Sequence, residues 1–257
     1  MSHLSIHSFI CRSDNYGVLL HDHKSGVTAS IDAPDASEIE RQLAGLGWRL
    51  THILTTHHHG DHVEGNLALK KIFSCTIIGP AAEADRIPGI DTQLSGGDVF
   101  TWAGHAVNVL DCPGHTSGHI AYHIPSAEAV FAGDTLFSLG CGRVFEGTIS
   151  QMYRSVRQFK AMPPSTRLFC GHEYTQSNAR FALSVEPGNT ALQQRAAEVD
   201  RLRSEGKMTC PSTIAEELRT NPFLRTESDE IRLNLKRVDA GDEEVFAELR
   251  RRKDGFN

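Results

Sequence analysis

Apolar and polar positions alternate in short bursts through the first two thirds of the chain. Stretches 16–20, 27–31, 52–54, 76–78, 107–110, 120–124 and 130–131 are brief, rich in branched and aromatic residues, and separated by turns that carry glycine and aspartate. That pattern predicts β-strands. Between them the period lengthens: Ile39, Leu43 and Leu46 in 36–46, and Val63, Leu67 and Ile72 in 63–72, recur at helical spacing. Strands mixed with helices in a chain of 257 residues predict a layered α/β fold. Past about residue 173 only the helical period persists. Segment 191–203 carries Leu192, Val199 and Leu202 and stops at Gly206; Thr213 and Glu216 open a short helix that closes before Asn221-Pro222; segment 242–253 shows Val245, Phe246 and Leu249 on one face. The chain is therefore read as a larger unit, residues 1–172, followed by a smaller helical unit, residues 173–257. No internal repeat or low-complexity linker interrupts them.

Composition narrows the function classes. Apolar residues make up 39% and charged residues 23%, which suits a packed core rather than disorder. A net charge of -6 gives no general attraction to nucleic acid or to an anionic membrane, so neither is expected as a partner. Apolar runs stay well short of a membrane-spanning helix. Residues 1–12 lack the basic start and apolar stretch of a secretion signal. Cysteines at 11, 75, 112, 141, 170 and 210 form no Cys-x-x-Cys pair, which fits a reducing, cytoplasmic setting. The chain is read as a monomer.

Histidine is the unusual component, with 14 copies. Four of them, with one aspartate, crowd into Thr56-His57-His58-His59-Gly60-Asp61-His62. Neutral imidazole and carboxylate are the ordinary ligands of zinc and similar divalent ions. His57 and His59 lie two apart, so on an extended segment both point the same way; Asp61 and His62 would point elsewhere, and one loop could serve two ions. Further donors follow predicted strands: His115 in Cys112-Pro113-Gly114-His115, Asp134 in Phe131-Ala132-Gly133-Asp134, and His172 in Phe169-Cys170-Gly171-His172. Asp32 follows another strand and is a candidate acceptor for a metal-bound imidazole. These strand ends are expected to converge from one side of a sheet. His58 is expected to point away, and His119 to support the site rather than bind metal. His3, His7, His21, His23, His52, His105 and His123 are read as ordinary surface or core residues. Neither His-Glu-x-x-His nor Gly-x-Ser-x-Gly occurs, which removes zincin and serine hydrolase chemistry.

In its order His-x-His-x-Asp-His, then His, Asp and His, the chain resembles the metallo-β-lactamase superfamily. The resemblance implies an αββα four-layer sandwich with a smaller C-terminal helical domain. It further implies two divalent metal ions, zinc before iron or manganese. By it His57, His59 and His115 hold the first ion, Asp61, His62 and His172 the second, and Asp134 bridges them. His59, Asp61 and Asp134 are the residues it implies for catalysis.

Further strings are similar to the glyoxalase II, or hydroxyacylglutathione hydrolase, branch: Asp14-Asn15-Tyr16, Gly140-Cys141-Gly142-Arg143, Glu146-Gly147-Thr148, Gly171-His172-Glu173-Tyr174-Thr175, Asn221-Pro222-Phe223-Leu224-Arg225 and the terminal 249–254. This branch implies hydrolysis of S-D-lactoylglutathione to D-lactate and glutathione by a metal-bridging hydroxide, the second step of methylglyoxal detoxification. It also implies that Arg143, Tyr174, Arg250 and Lys253 contact the glutathione part, whose two carboxylates suit cationic partners. Phe145 stands where many relatives have tyrosine and lacks its hydroxyl. Arg251 and Arg252 are read as a solvated helix end. The alternative is a glutathione persulfide dioxygenase of the same superfamily, which would use one iron and oxygen but lacks the long helical C-terminal part. A nuclease of the same fold is disfavoured by the missing basic stripe.

Overall fold

The computed structural model describes residues 4–256, so His3 lies outside the described residues. The chain opens as a meander of β1 (Leu4–Cys11), β2 (Asn15–Asp22) and β3 (Val27–Ile31). Helix α1 (Ala36–Leu46) then crosses to β4 (His52–Leu54). Asp35 starts that helix by accepting from the Glu38 amide, and Gly47 ends it with a φ of 70°. Two short helices follow, α2 (Gly60–Val63) and α3 (Asn66–Phe73), before β5 (Thr76–Pro80) and β6 (Thr92–Leu94). These strands form one sheet in the order β1 to β6, parallel from β3 onward.

A second sheet uses β7 (Val99–Trp102), β8 (His105–Asp111), β9 (Ile120–Ile124) and β10 (Ala129–Gly133). A small hairpin of β11 (Leu136–Phe137) and β12 (Gly140–Cys141) leads to α4 (Ile149–Lys160), which Thr148 and Gln151 open as a reciprocal capping box. Strand β13 (Arg167–Cys170) returns parallel to β10. The remainder comprises α5 (Thr175–Val185), α6 (Thr190–Ser204), β14 (Ser212–Thr213), α7 (Ile214–Thr220), α8 (Asp229–Leu235) and α9 (Asp242–Asp254).

Burial explains the layering. Leu20, Ile31 and Leu54 of the first sheet pack against Val107, Tyr122 and Phe131 of the second. The opposite face of the first sheet, with Leu19, Ile53 and Ile77, is covered by Ile39 and Leu43 of α1 and Leu69 of α3. Strand β2 is accordingly buried along its whole length. On the outer face of the second sheet, Val130 and Leu168 meet Val156 and Phe159 of α4, and the same cluster continues into Phe223, Phe246 and Leu249. Each fully buried side chain of this kind contributes roughly 1.5–3 kcal/mol relative to exposure. The architecture is helix, sheet, sheet, helix, with a helical C-terminal part, as the superfamily resemblance implies.

Two local expectations change. The single helix expected over 63–72 is two helices. Gly65 breaks it because its amide donates to Ala33 O at 2.9 Å, and a Cβ there would lie 2.8 Å from that oxygen. The C-terminal part also contains a strand: β14 extends the second sheet through Arg167↔Thr213 and Leu168↔Ser212. Two residues are too few to show alternation.

Candidate metal centre

The strand ends that carry polar groups belong to two sheets, not to one side of a single sheet as expected. Asp32 and the 55–62 segment follow β3 and β4 of the first; His115, Asp134 and His172 follow β8, β10 and β13 of the second. They meet at one end of the sandwich. Glycine permits the approach. At Gly171 a Cβ would stand 2.2 Å from Asp134 Oδ1 and 2.9 Å from the His62 ring.

The seven donors named from the resemblance come together. His57, His59 and His115 offer nitrogens within 4.8 Å of one another, as do ligand atoms of Asp61, His62 and His172. Asp134 lies between the groups, with Oδ2 3.4 Å from both His115 Nε2 and His172 Nε2, and Oδ1 3.5 Å from His62 Nε2. Three of the imidazoles have a fixed partner at their outer nitrogen. His62 Nδ1 lies 2.8 Å from Asp32 Oδ2, His172 Nδ1 2.8 Å from Asp14 Oδ1, and His115 Nδ1 2.9 Å from Arg143 O. Asp32, at φ 56°, also accepts from the Thr56 amide and hydroxyl, which keeps its second oxygen turned to His62.

In the sequence Asp14 and Asn15 stand out only as part of a resembling string. Asn15 Nδ2 donates to Asp61 Oδ2 at 3.0 Å and to Asp61 O at 3.1 Å. His119 Nε2 accepts from the Asp134 amide at 3.1 Å, so it steadies the backbone of Asp134 and stands outside the donor set. His58 turns to Glu83, with Nδ1 2.7 Å from Oε2.

Electrostatics separate the two groups. Burial lowers the pKa of His57, His59 and His115, with neighbouring histidines reinforcing it at His57 and His59 and Asp134 opposing it at His115. That favours the neutral imidazole, the form that binding a metal requires. Burial also opposes charge on His62 and His172, but the Asp134 carboxylate first, then Asp32 for His62 and Asp61 and Asp14 for His172, outweighs it; His172 rises to about 11. Asp61 is held low by its hydrogen bond to His172, and Asp134 is held low against its own burial by His62 and His172. The second group therefore demands positive charge.

Divalent cations fit this donor set. Imidazole and carboxylate suit them, and the buried atoms His57 Nε2 and Asp134 Oδ1 have no hydrogen-bond partner among the described residues.

A cavity of about 410 Å³ opens over these groups, lined at its floor by His59, Asp61, His115, Asp134 and His172. Its walls bring in Arg143, Tyr174, Arg250 and Lys253. Tyr174 stacks on His172 at 4.8 Å with planes 2° apart. Phe145 is 63% exposed and stands edge-on to His115 and His59, at 5.3 and 6.0 Å. The four cavity side chains differ in freedom. Arg143 is exposed, with Nε 3.9 Å from Asp254. Lys253 reaches Ser177 Oγ at 3.1 Å. Arg250 is buried, donating to Cys141 O at 2.7 Å and to Asp254 Oδ1 at 3.0 Å, so its guanidinium is largely engaged within the protein. Arg251 and Arg252 pair with Glu248, and Arg252 also donates to Leu235 O at 3.0 Å.

Comparison with known proteins agrees with this geometry. The family profile described as Metallo-beta-lactamase superfamily matches residues 25–172, and that described as Hydroxyacylglutathione hydrolase C-terminus matches residues 173–256. A curated hydroxyacylglutathione hydrolase of Brucella ovis is 58% identical over 253 residues, covering 98% of both chains. Among solved structures, ETHE1 from Myxococcus xanthus is similar with a TM-score of 0.66 and 25% identity, covering 98% of this chain and all of its own. TTHA1623, solved in a di-iron-bound form, has a TM-score of 0.62 and 21% identity over 86% of this chain and 100% of its own.

Proposed function

The chain belongs to the hydroxyacylglutathione hydrolase family of the metallo-β-lactamase superfamily, and from that premise we propose that it hydrolyses S-D-lactoylglutathione to D-lactate and glutathione. The observation that carries this reading is the cavity itself. Its floor gathers imidazoles and carboxylates, and its walls supply cations and an aromatic ring. The alternative, persulfide oxidation, is the weaker reading, because the high-identity relative carries the hydrolase name and the helical C-terminal part matches the hydrolase profile.

His57, His59 and His115 would hold one divalent cation, Asp61, His62 and His172 another, and Asp134 would bridge them. Such cations polarise a carbonyl and acidify water to near neutrality. Zinc is the reading offered, with iron and manganese as the alternatives, since all three accept this donor set. Asp32 and Asp14 fix the tautomers of His62 and His172, leaving each Nε2 free to bind. Asn15 orients Asp61 in the same way. In the overall reaction the oxygen of water joins the acyl carbon and the C–S bond breaks. The departing thiol has a pKa near 8.5, so it leaves as thiolate without a dedicated general acid.

Arg143 and Lys253 are assigned to the glutathione carboxylates and Tyr174 to its backbone. Arg250 acts chiefly by holding the 141–142 carbonyls that precede Arg143. All of these residues belong to one chain, so the proposed site is complete within a single copy, and a monomer is the state proposed. No helix among the described residues is long and apolar enough to cross a membrane. Six buried free thiols support a reducing compartment, the cytoplasm. The test is thioester hydrolysis of S-D-lactoylglutathione with parallel metal analysis. Full turnover by metal-depleted protein, or oxygen uptake with glutathione persulfide in place of hydrolysis, would overturn the reading.

A further inference from the structure

Glu83 is a buried carboxylate outside the donor set. It sits on the 3-10 helix Ala81–Arg86 that follows β5, and its side chain is fully buried. Its two oxygens take three donors. Oε2 accepts from the His58 amide at 2.8 Å and faces His58 Nδ1 at 2.7 Å, while Oε1 accepts from the Gly118 amide at 2.8 Å. His58 lies between His57 and His59. Gly118 lies in the loop that runs from His115 to His119. One carboxylate thus joins the two segments that supply the first group of donors. The contact is close along the backbone as well, since a Cβ on Gly118 would fall 2.7 Å from Ala82 Cβ and 2.8 Å from Glu83 Cγ. Glu146 supports the same junction from outside: Oε2 accepts from the Ser117 amide at 3.0 Å, and Oε1 lies 3.4 Å from His58 Nε2.

Burying a carboxylate is costly unless its lone pairs are used. Here the donors select it. An amide offers one acceptor oxygen, and its NH2 group would face an N–H. Glutamate alone of the similar-sized side chains accepts at both ends.

Resting on the functional reading above, we propose that Glu83 is a positioning residue for the first cation. It sets the separation between the His57–His59 segment and His115, and it turns His58 outward so that its neighbours face inward. Glu83 makes its hydrogen bonds to His58 and Gly118 and none to Asp61 or His172, so its effect should fall chiefly on the first of the two positions.

The experiment compares wild type with Glu83→Gln by Co(II) binding, read from visible absorption, alongside thermal melting and steady-state hydrolysis. Glu83→Gln is expected to weaken one binding step ~10–100-fold and leave the other in place. Its kcat should fall while KM for the thioester stays unchanged, because the cavity walls are untouched. His58→Ala, which removes only one of the three donors, should retain both binding steps with a smaller loss. If Glu83→Gln leaves both steps unchanged, or weakens both equally with a lowered melting temperature, the inference is overturned. A wild-type chain that binds two ions yet leaves the thioester intact overturns the functional reading alone.

Discussion

Replacing Lys253 isolates one charge at the cavity wall. The side chain lies in the last turn of α9, its Nζ 5.7 and 5.6 Å from the ring centres of Phe181 and Phe256. Burial first, then the charges of Arg250, Arg180 and Arg143, lowers its pKa to about 8. A lysine loses its charge as pH rises through its pKa, so this cation is present at pH 7 and roughly nine-tenths neutral at pH 9. A charge-assisted hydrogen bond to a carboxylate contributes ~1.5–3 kcal/mol. Partial solvent access favours the lower end, which is ~10–30-fold in affinity. Lys253→Met should therefore raise KM about 10–30-fold at pH 7 and leave kcat near wild type. Wild-type kcat/KM should fall about five- to eightfold from pH 7 to 9 through this group, because the neutral form retains the activity of the uncharged variant. Lys253→Met should lack that decline. Lys253→Arg, always charged, should lack it too while keeping a near-normal KM. Initial rates of thioester loss across that pH range provide the measurement. An unchanged KM in Lys253→Met, or the same alkaline decline in it, would refute the assignment.

Other perturbations act on the floor of the cavity. Asp134→Ala should remove metal and at least ~100-fold of activity, measured by elemental analysis and turnover. Asp14→Asn should weaken only the cation proposed at Asp61, His62 and His172, about 10–100-fold, because it alters the partner of His172 Nδ1 at 2.8 Å; a chelator competition assay would resolve the two steps. Gly171→Ala should abolish metal uptake, since its methyl would lie 2.2 Å from Asp134 Oδ1; normal metal content in that variant would contradict the packing described.

The donor strings were legible because few needs other than metal chemistry put four histidines and an aspartate in six positions. Of the partners that orient them, Asp32 is legible as a carboxylate at a strand end, and it meets His62. Asp14 is not: it lies 158 positions from the histidine it contacts, and an ordinary surface aspartate has the same local sequence. Strand β1 was missed because most of its residues are only half-buried, which blurs alternation. Helix α4 was missed although Thr148 and Gln151 mark its start, a signal weaker to the eye than the apolar runs around it. The convergence of strand ends was expected from a single sheet. Sheet membership depends on pairing between distant strands, which periodicity does not report.

The two sheets contribute unequally but jointly to the donor set: His57, His59, Asp61 and His62 follow β4, while His115, Asp134 and His172 follow strands of the other layer. Cations held there rivet one layer to the other. Each ion bound at a hundredfold excess over its dissociation constant adds about 2.7 kcal/mol to the folded state, a large fraction of what holds a domain together. Metal starvation would thus do more than idle the active site. It would loosen the end of the sandwich and expose the chain to proteolysis, so that the amount of protein in the cell, as well as its activity, follows the supply of metal.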